Sequence, residues 1–512
     1  MSLTRRSILR SIASLAPMAI LSGCEKKRSP NGSTSLSVFC AAGLRKPLEQ
    51  AATDFQSTTS NTINFQFGGS GTLLSQLKIA KTGDLFVAAD EETLALARKL
   101  EVIREIIPLA LQTAVIAVQS GNPKAIKSID DLLRDDVRVA LANPESASIS
   151  KVAKKAIGAQ WERLATRATV MKPTVTEIAA DLVLGAVDAA IIWDSTIFQF
   201  KGLEAVAVPA LSACPEQASV AVLSSCNQPV EALRFARFLA AESKGGQAFS
   251  TNGFKHIPGD AWTNQPELVL YSGGVNRPAV ETVLRSFSER EGVSLTTVFN
   301  GCGVLCASMK AMENTSNPKY PDVYYACDLC FVPPVAEQFP EAILLTETEI
   351  GIAVKPDNQK NIKTLSDLAE EGLRVGVCNA EQSTLGFMTR GILKSSGLLE
   401  SIRKNVVVEV PTADFLVNQL RAGSLDAVIV YKVNAIAGSS DLKFIPLQHP
   451  GAKAIQPFAV RKDSPNRQTA LRLLDFLKTH RSDFENVGFL WRANDKPLKS
   501  SEIQLPEWLK EK

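Results

Sequence analysis

The sequence predicts an α/β protein of the doubly wound kind that carries one folding unit twice. Three observations predict it. Blocks of the first half recur in order in the second, strand-like and helix-like segments alternate within each half, and in both a glycine-bracketed small residue leads from a strand into a helix. That corner reads FGGSGTLLSQL from Phe67 and FNGCGVLCASM from Phe299.

The recurrence is long. Ala114–Ser148 aligns without gaps on Ile350–Thr384, GAVDAAIIW (Gly185–Trp193) on GSLDAVIVY (Gly423–Tyr431), and DLFVAAD (Asp84–Asp90) on DVYYACD (Asp322–Asp328). FSTNGF (Phe249–Phe254) likewise matches FENVGF (Phe484–Phe489). Ordered blocks of this length mean a tandem duplication, with units over 35–262 and 268–512. A chain of 512 residues exceeds what one core supports, so several domains are expected on size as well.

Within a unit the elements follow from pattern. LSVFCAA is an apolar run bounded by small residues and reads as a buried strand. RKPLEQAATDFQSTT has helical spacing, with Leu48, Ala51, Ala52 and Phe55 on one face and Pro47 near the start. INFQF alternates as a strand does, the glycine corner follows, then helix TLLSQLKIAK and strand DLFVAAD. VRVALA, AAIIW and AVAVP extend the series, and Pro229–Ser243 supplies a closing helix. Strands alternating with helices give a doubly wound sheet.

Composition excludes several functions. The chain is 45% hydrophobic and 21% charged, with a net charge of +3 and no basic-aromatic interleaving, so a nucleic-acid partner is not expected. Three His residues argue against His-based catalysis, and no nucleophile motif or acid/base pair stands out. Neither enzymatic activity nor a cofactor is expected. Residues 1–24 read as an export signal: TRRSILR (Thr4–Arg10) resembles a twin-arginine motif, and LSGC (Leu21–Cys24) resembles a lipobox with Cys24 as the acylated residue. Residues 25–34 would then be a tether. The folded part would sit outside the cytoplasmic membrane, anchored to it by lipid, where disulfides are permitted.

The corner has a chemistry of its own. A glycine turn from strand into helix leaves the first helical N–H groups converging on one spot, at the positive end of the helix dipole. Ser70 adds a hydroxyl, and Gly68, Gly69 and Gly71 let a ligand approach the backbone. The Gly-Lys-Ser/Thr ending of a phosphate-binding P-loop is missing.

FCAAGLRKPLEQAATDF, FQFGGSGTLLSQL and GDLFVAADEE, followed by ANPESAS, LVLGAVDAAIIWDS and Asn252-Gly253-Phe254, resemble periplasmic molybdate/tungstate-binding proteins, the solute receptors of ABC importers. The resemblance covers nearly all of the first unit and, more weakly, the second. It implies two type II periplasmic-binding-protein-like units, each of two α/β lobes around a ligand cleft that closes on a tetrahedral oxyanion, with an ABC permease as partner. Carried over, the ligand contacts in the first unit are Ala42 and Gly43, Ser70, Ala147 and Ser148, Thr176 of the pair Val175-Thr176, and Trp193, where the family can have a tyrosine. Arg45, and Arg277 in the second unit, are the nearest basic residues, read either as solvated helix-start side chains or as ligand contacts. Neutral donors suit the task, since charge-assisted hydrogen bonds contribute roughly 1.5–3 kcal/mol each without a buried counter-cation.

In the second unit the matching residues are Ser272 and Gly273, Cys302, Ser383 and Thr384, Thr412, and Tyr431. Cys302 is a poor donor and a soft ligand. Cys302, Cys306, Cys327 and Cys330, with Cys378 near, allow a zinc or other soft-metal reading, set against plain buried thiols or a disulfide. Cys327 and Cys330 read as strand residues on opposite faces. Cys214 and Cys226 flank PEQASVAVLSS, where a disulfide closing a surface loop is expected. The leading reading is an oxyanion receptor for import; the alternative is a ligand-sensing or soft-metal/redox protein on the same fold.

Overall fold

Buried strands alternate with amphipathic helices through both halves of the chain, and the computed structural model describes residues 34–213, 215–312, 316–436, 441–493, 496–505 and 507. Cys24, the signal and nearly all of the tether lie outside the described residues. Among the described residues no helix is long and apolar enough to cross a membrane.

The first unit has two sheets. One has six strands in the order Lys255–His256, Ile103–Gln112, Glu216–Leu223, Leu85–Ala88, Ser35–Ala41 and Thr62–Gly68. The other has five: Val170–Lys172, Val139–Ala142, Ala189–Trp193, Ala114–Gln119 and Leu203–Val206. The chain passes from the first lobe to the second at Thr113, between two strands that belong to different sheets. The predicted helix runs Arg45–Thr58 and buries Leu48, Ala51, Ala52 and Phe55 as its spacing requires. Phe55 packs at 5.0 Å from Phe235 and 5.2 Å from Phe238, contacts worth about 0.5–1.5 kcal/mol each beyond their buried area.

The second unit repeats this order with one change. Its crossing strand runs unbroken over Glu341–Val354, so both lobes join in one eleven-stranded sheet. Its buried residues form a single core spanning both lobes, whereas in the first unit the second lobe has a core of its own. The two units meet through a buried cluster in which Arg237 and Arg472 both bind Glu291, and Arg290 pairs with Glu105.

Two expectations fail here. PEQASVAVLSS is not a loop: Glu216–Leu223 is a central strand of the first lobe. Eight extended residues at about 3.4 Å each hold its ends far beyond the 4.4–6.8 Å between Cα atoms that a disulfide needs. Cys226 is accordingly a free thiol that donates to Asp84 Oδ1 at 3.3 Å, and Cys214 lies outside the described residues. Nor do Cys327 and Cys330 share a strand. The strand stops at Tyr325, and Cys330 lies in a 3-10 turn, Leu329–Phe331, capped by Asp328.

Candidate functional site

In the first unit three helices begin at one place between the lobes: Ser70–Ala80 from the first, Ser148–Ile157 and Val175–Val183 from the second. No side chain caps the Ser70 or the Ser148 helix, so the N–H groups of Ser70 and Ser148 remain available as donors, while that of Gly71 goes to the Ser146 carbonyl. A cavity of about 20 Å3 lies among them, on a scale where a single water takes ~10–15 Å3. That is room for a small compact ion and not for a sugar or a peptide. Its lining includes Ala42, Gly43, Ser70, Ala147, Ser148 and Trp193, all expected from sequence, and among the described residues it contains no charged side chain.

Ser70 is almost fully buried, and its Oγ accepts the Ala89 N–H at 3.2 Å. A hydroxyl that accepts in this way keeps its own proton to donate. Ser148 behaves differently. Its hydroxyl donates to Asp90 Oδ2, whose other oxygen accepts the Thr93 N–H at 2.8 Å, so Ser148 can offer only its backbone N–H to a ligand. Gln199 fixes the Ala42–Gly43 turn by donating to the Gly43 carbonyl at 2.7 Å.

The corner glycines do something the sequence did not suggest. A Cβ on Gly69 would lie 2.3 Å from the Ser146 carbonyl oxygen and 2.8 Å from that of Pro173. A Cβ on Gly71 would lie 2.2 Å from the Glu145 oxygen, and the Gly71 N–H donates across the lobes to Ser146 at 3.0 Å. These glycines admit the backbone of the opposite lobe, and the lobes close because of them. The two arginines do not enter the clefts. Arg45 stacks over Phe67 at 4.1 Å and Arg277 over Phe299 at 4.7 Å.

Thr176 does not line the cavity. Thr174 and Val175 do, and Thr174 caps the helix by accepting the Glu177 N–H. Thr412 holds the N-cap position of Ala413–Arg421 in the second unit without a side-chain bond, so its counterpart is Thr174, and the residue opposite Thr176 is Asp414. Strand register also moves Ser272. Ala41 faces Gly68 and Gly273 faces Asn300, which sets Ser272 opposite Cys40, inside the strand. Ser272 is fully buried and its hydroxyl bonds the Gly273 carbonyl.

Around the second corner the architecture persists while the chemistry changes. Cys302 Sγ accepts the Cys327 N–H at 3.1 Å, the same bond that Ser70 makes to Ala89. Cys327 therefore stands where the first unit has Ala89, as the blocks DLFVAAD and DVYYACD already indicate. Its thiol lies against Gly273, where a Cβ would be 2.2 Å from its Sγ. Burial pushes the Cys302 thiol up, but hydrogen bonding led by Cys327 outweighs it and brings it down to about 7. Cys327 itself is held well above the usual thiol range by that bonding and by burial. Ser383 is buried at the N-cap position of the Thr384–Ser395 helix without a side-chain cap bond, and Tyr431 is buried with a hydroxyl that has no hydrogen-bond partner among the described residues.

Cys306 and Cys330 stand apart from the cleft pair. Cys306 bonds the Tyr324 hydroxyl at 3.5 Å, and Cys330 packs beside Asp328. All seven described cysteines are free thiols, and among the described residues no three His, Cys, Asp or Glu side chains are grouped to hold a metal ion. Tetrahedral zinc takes four ligands, so the four-cysteine zinc arrangement is not formed.

Comparison with known proteins bears on both units. The family described as bacterial extracellular solute-binding protein matches the chain twice, over residues 36–255 and 268–485. A putative binding protein of Haemophilus influenzae is 25% identical over 222 residues, covering 43% of this chain and 90% of its own length. The molybdate-binding protein ModA of Mycobacterium bovis is 26% identical over 228 residues, covering 44% and 85%. Among solved structures, the periplasmic molybdate-binding protein of Azotobacter vinelandii is 16% identical, covers 44% of this chain and 99% of its own, and superposes with a TM-score of 0.38.

Proposed function

Because the chain belongs to the bacterial extracellular solute-binding protein family, in both of its units, we propose that it captures a tetrahedral oxyanion of the molybdate or tungstate class in its first cleft and delivers it to an ABC permease. The observation that carries this is the Ser70 hydroxyl, which accepts from Ala89 and keeps its proton for the closed, uncharged cavity. A dianion there would meet that donor, the leading amides of the Ser70 and Ser148 helices, and the positive ends of their dipoles. Charge would be matched by oriented N–H and O–H groups, so no buried Lys or Arg is needed. Sulfate has the same shape and is smaller, so cavity size would set the preference. The relatives named for molybdate binding support the choice of anion. An N-terminal lipid on Cys24 would keep the receptor beside its permease.

Calorimetric titration of the full chain with molybdate, tungstate and sulfate tests this. Molybdate or tungstate should bind more tightly than sulfate, and Ser70→Ala should weaken binding by roughly ten- to a hundredfold, the equivalent of one charge-assisted hydrogen bond. No heat with any of the three anions would refute the reading.

A further inference from the structure

The second cleft has lost what suits an oxyanion and gained what suits a soft cation. The hydroxyl donor at the corner is replaced by the Cys302 sulfur, the Cys327 thiol lies against the turn at Gly273, and Asp414 stands where the first unit has Thr176. The Asp414 Oδ2 atom lies 4.0 Å from where a Gly274 Cβ would be, so a carboxylate borders the cleft turn. This acidic side chain, which accepts from Asn434 at 2.9 Å and is faced by Arg277, stands where the lining of the first cavity has no charged group. An independent sign comes from Tyr431, which is buried at the place where Trp193 lines the first cavity and whose hydroxyl has no hydrogen-bond partner among the described residues.

From this arrangement we propose that the second cleft binds a soft monovalent d10 cation of the copper(I) class, held between Cys302 Sγ and Cys327 Sγ. The donor count selects the class. Two thiols meet here without a third His, Cys, Asp or Glu side chain positioned to join them among the described residues, which is too few for zinc or iron. Two sulfurs suffice for a linear d10 cation, and thiolates prefer such ions. On binding, each thiol releases its proton to solvent and each sulfur donates a lone pair to the metal; no electron is transferred. Tyr431 holds the position at which Trp193 lines the first cavity. Gly301 and Gly303 keep the lobes in contact over it, since a Cβ on either would strike the carbonyls of Gln382 or Glu381 at 2.2 and 2.1 Å. This site is independent of the oxyanion reading of the first cleft.

The test uses the full chain, reduced and kept anaerobic, titrated with copper(I) against a chromophoric copper(I) chelator, with the bound metal examined by X-ray absorption. One copper(I) with two sulfur neighbours is expected at the cleft. Cys302→Ser and Cys327→Ser should each weaken it by roughly two orders of magnitude or more. Cys226→Ser should leave it unchanged, and unaltered melting of the metal-free variants would show that they fold. Three or four sulfur neighbours, equal competition by zinc, displacement by arsenite, or wild-type affinity in both cleft variants would each overturn the proposal.

Discussion

The two corners hold the same backbone and different chemistry. Ser70 and Cys302 each accept an N–H from the end of the neighbouring strand, and each is flanked by glycines pressed on the carbonyls of the opposite lobe. Duplication preserved the closure and released the ligand set. In the first cleft the lining is neutral and donor-rich; in the second, two thiols, a phenol and a bordering carboxylate replace it. The lobes differ as well, since the second unit carries one core and one continuous crossing strand where the first is divided at Thr113. What the difference teaches is that closure geometry and ligand chemistry are separable in this fold.

The sharpest way to break the comparison is to prevent closure in one unit. Gly69→Ala puts a Cβ 2.3 Å from the Ser146 oxygen, so the lobes must part. Molybdate affinity should fall at least about a hundredfold, or roughly 2.8 kcal/mol, while Gly301→Ala leaves it intact. Calorimetry on both variants checks this, and equal effects would contradict it. The donor itself comes next. Ser70→Ala should cost about 1.5–3 kcal/mol of molybdate binding, and Cys302→Ser nothing measurable in the same titration.

A third prediction concerns pH and belongs to the second unit alone. The Cys302 thiol titrates at about 7 in the fold against an ordinary 9.0, so between those values the unfolded chain binds more protons and stability rises with pH. The contribution is complete above pH 9 and lost as the pH falls through 7. Buried Cys306 and Cys378, pushed up to about 12, do not titrate in that window. Denaturant midpoints of the native chain relative to Cys302→Ser should therefore diverge toward pH 9, by on the order of 1–2 kcal/mol. A constant difference would refute the thiolate. The smallest effect is expected at Arg45, which is half exposed and stacked on Phe67. Arg45→Ala should change molybdate affinity less than about threefold, because an exposed cation–π contact is worth only ~0.5–1 kcal/mol and lies outside the cavity.

Much of the fold was legible because it rests on local patterns. The buried strand at Ser35–Ala41, the helix face of Leu48, Ala51, Ala52 and Phe55, and the strand-to-helix corner all follow from periodicity and glycine placement. What was not legible depends on groups far apart in sequence. The hydrogen bond that takes the Ser148 hydroxyl comes from Asp90, and the need for Gly69 comes from Ser146 and Pro173. The segment between Cys214 and Cys226 is a strand and not the expected surface loop, because Ala218–Leu223, buried throughout, belongs to the middle of a sheet. Thr176 lies outside the cavity lining, and Thr412 pairs with Thr174 rather than Thr176, because equivalence follows where each helix starts, at Val175 and Ala413, and not a shared threonine. Cys327 was within reach: the repeat blocks align it with Ala89, but only the shared N–H bond gives that alignment a chemical meaning.

The most direct test of two clefts with different ligands is the number of molybdate ions bound per chain at saturation, measured by equilibrium dialysis on the native protein and on Cys302→Ser. One ion per chain, unchanged by the substitution, is the expected result. Two ions per chain in the native protein would mean that both corners still hold an oxyanion and would contradict the account.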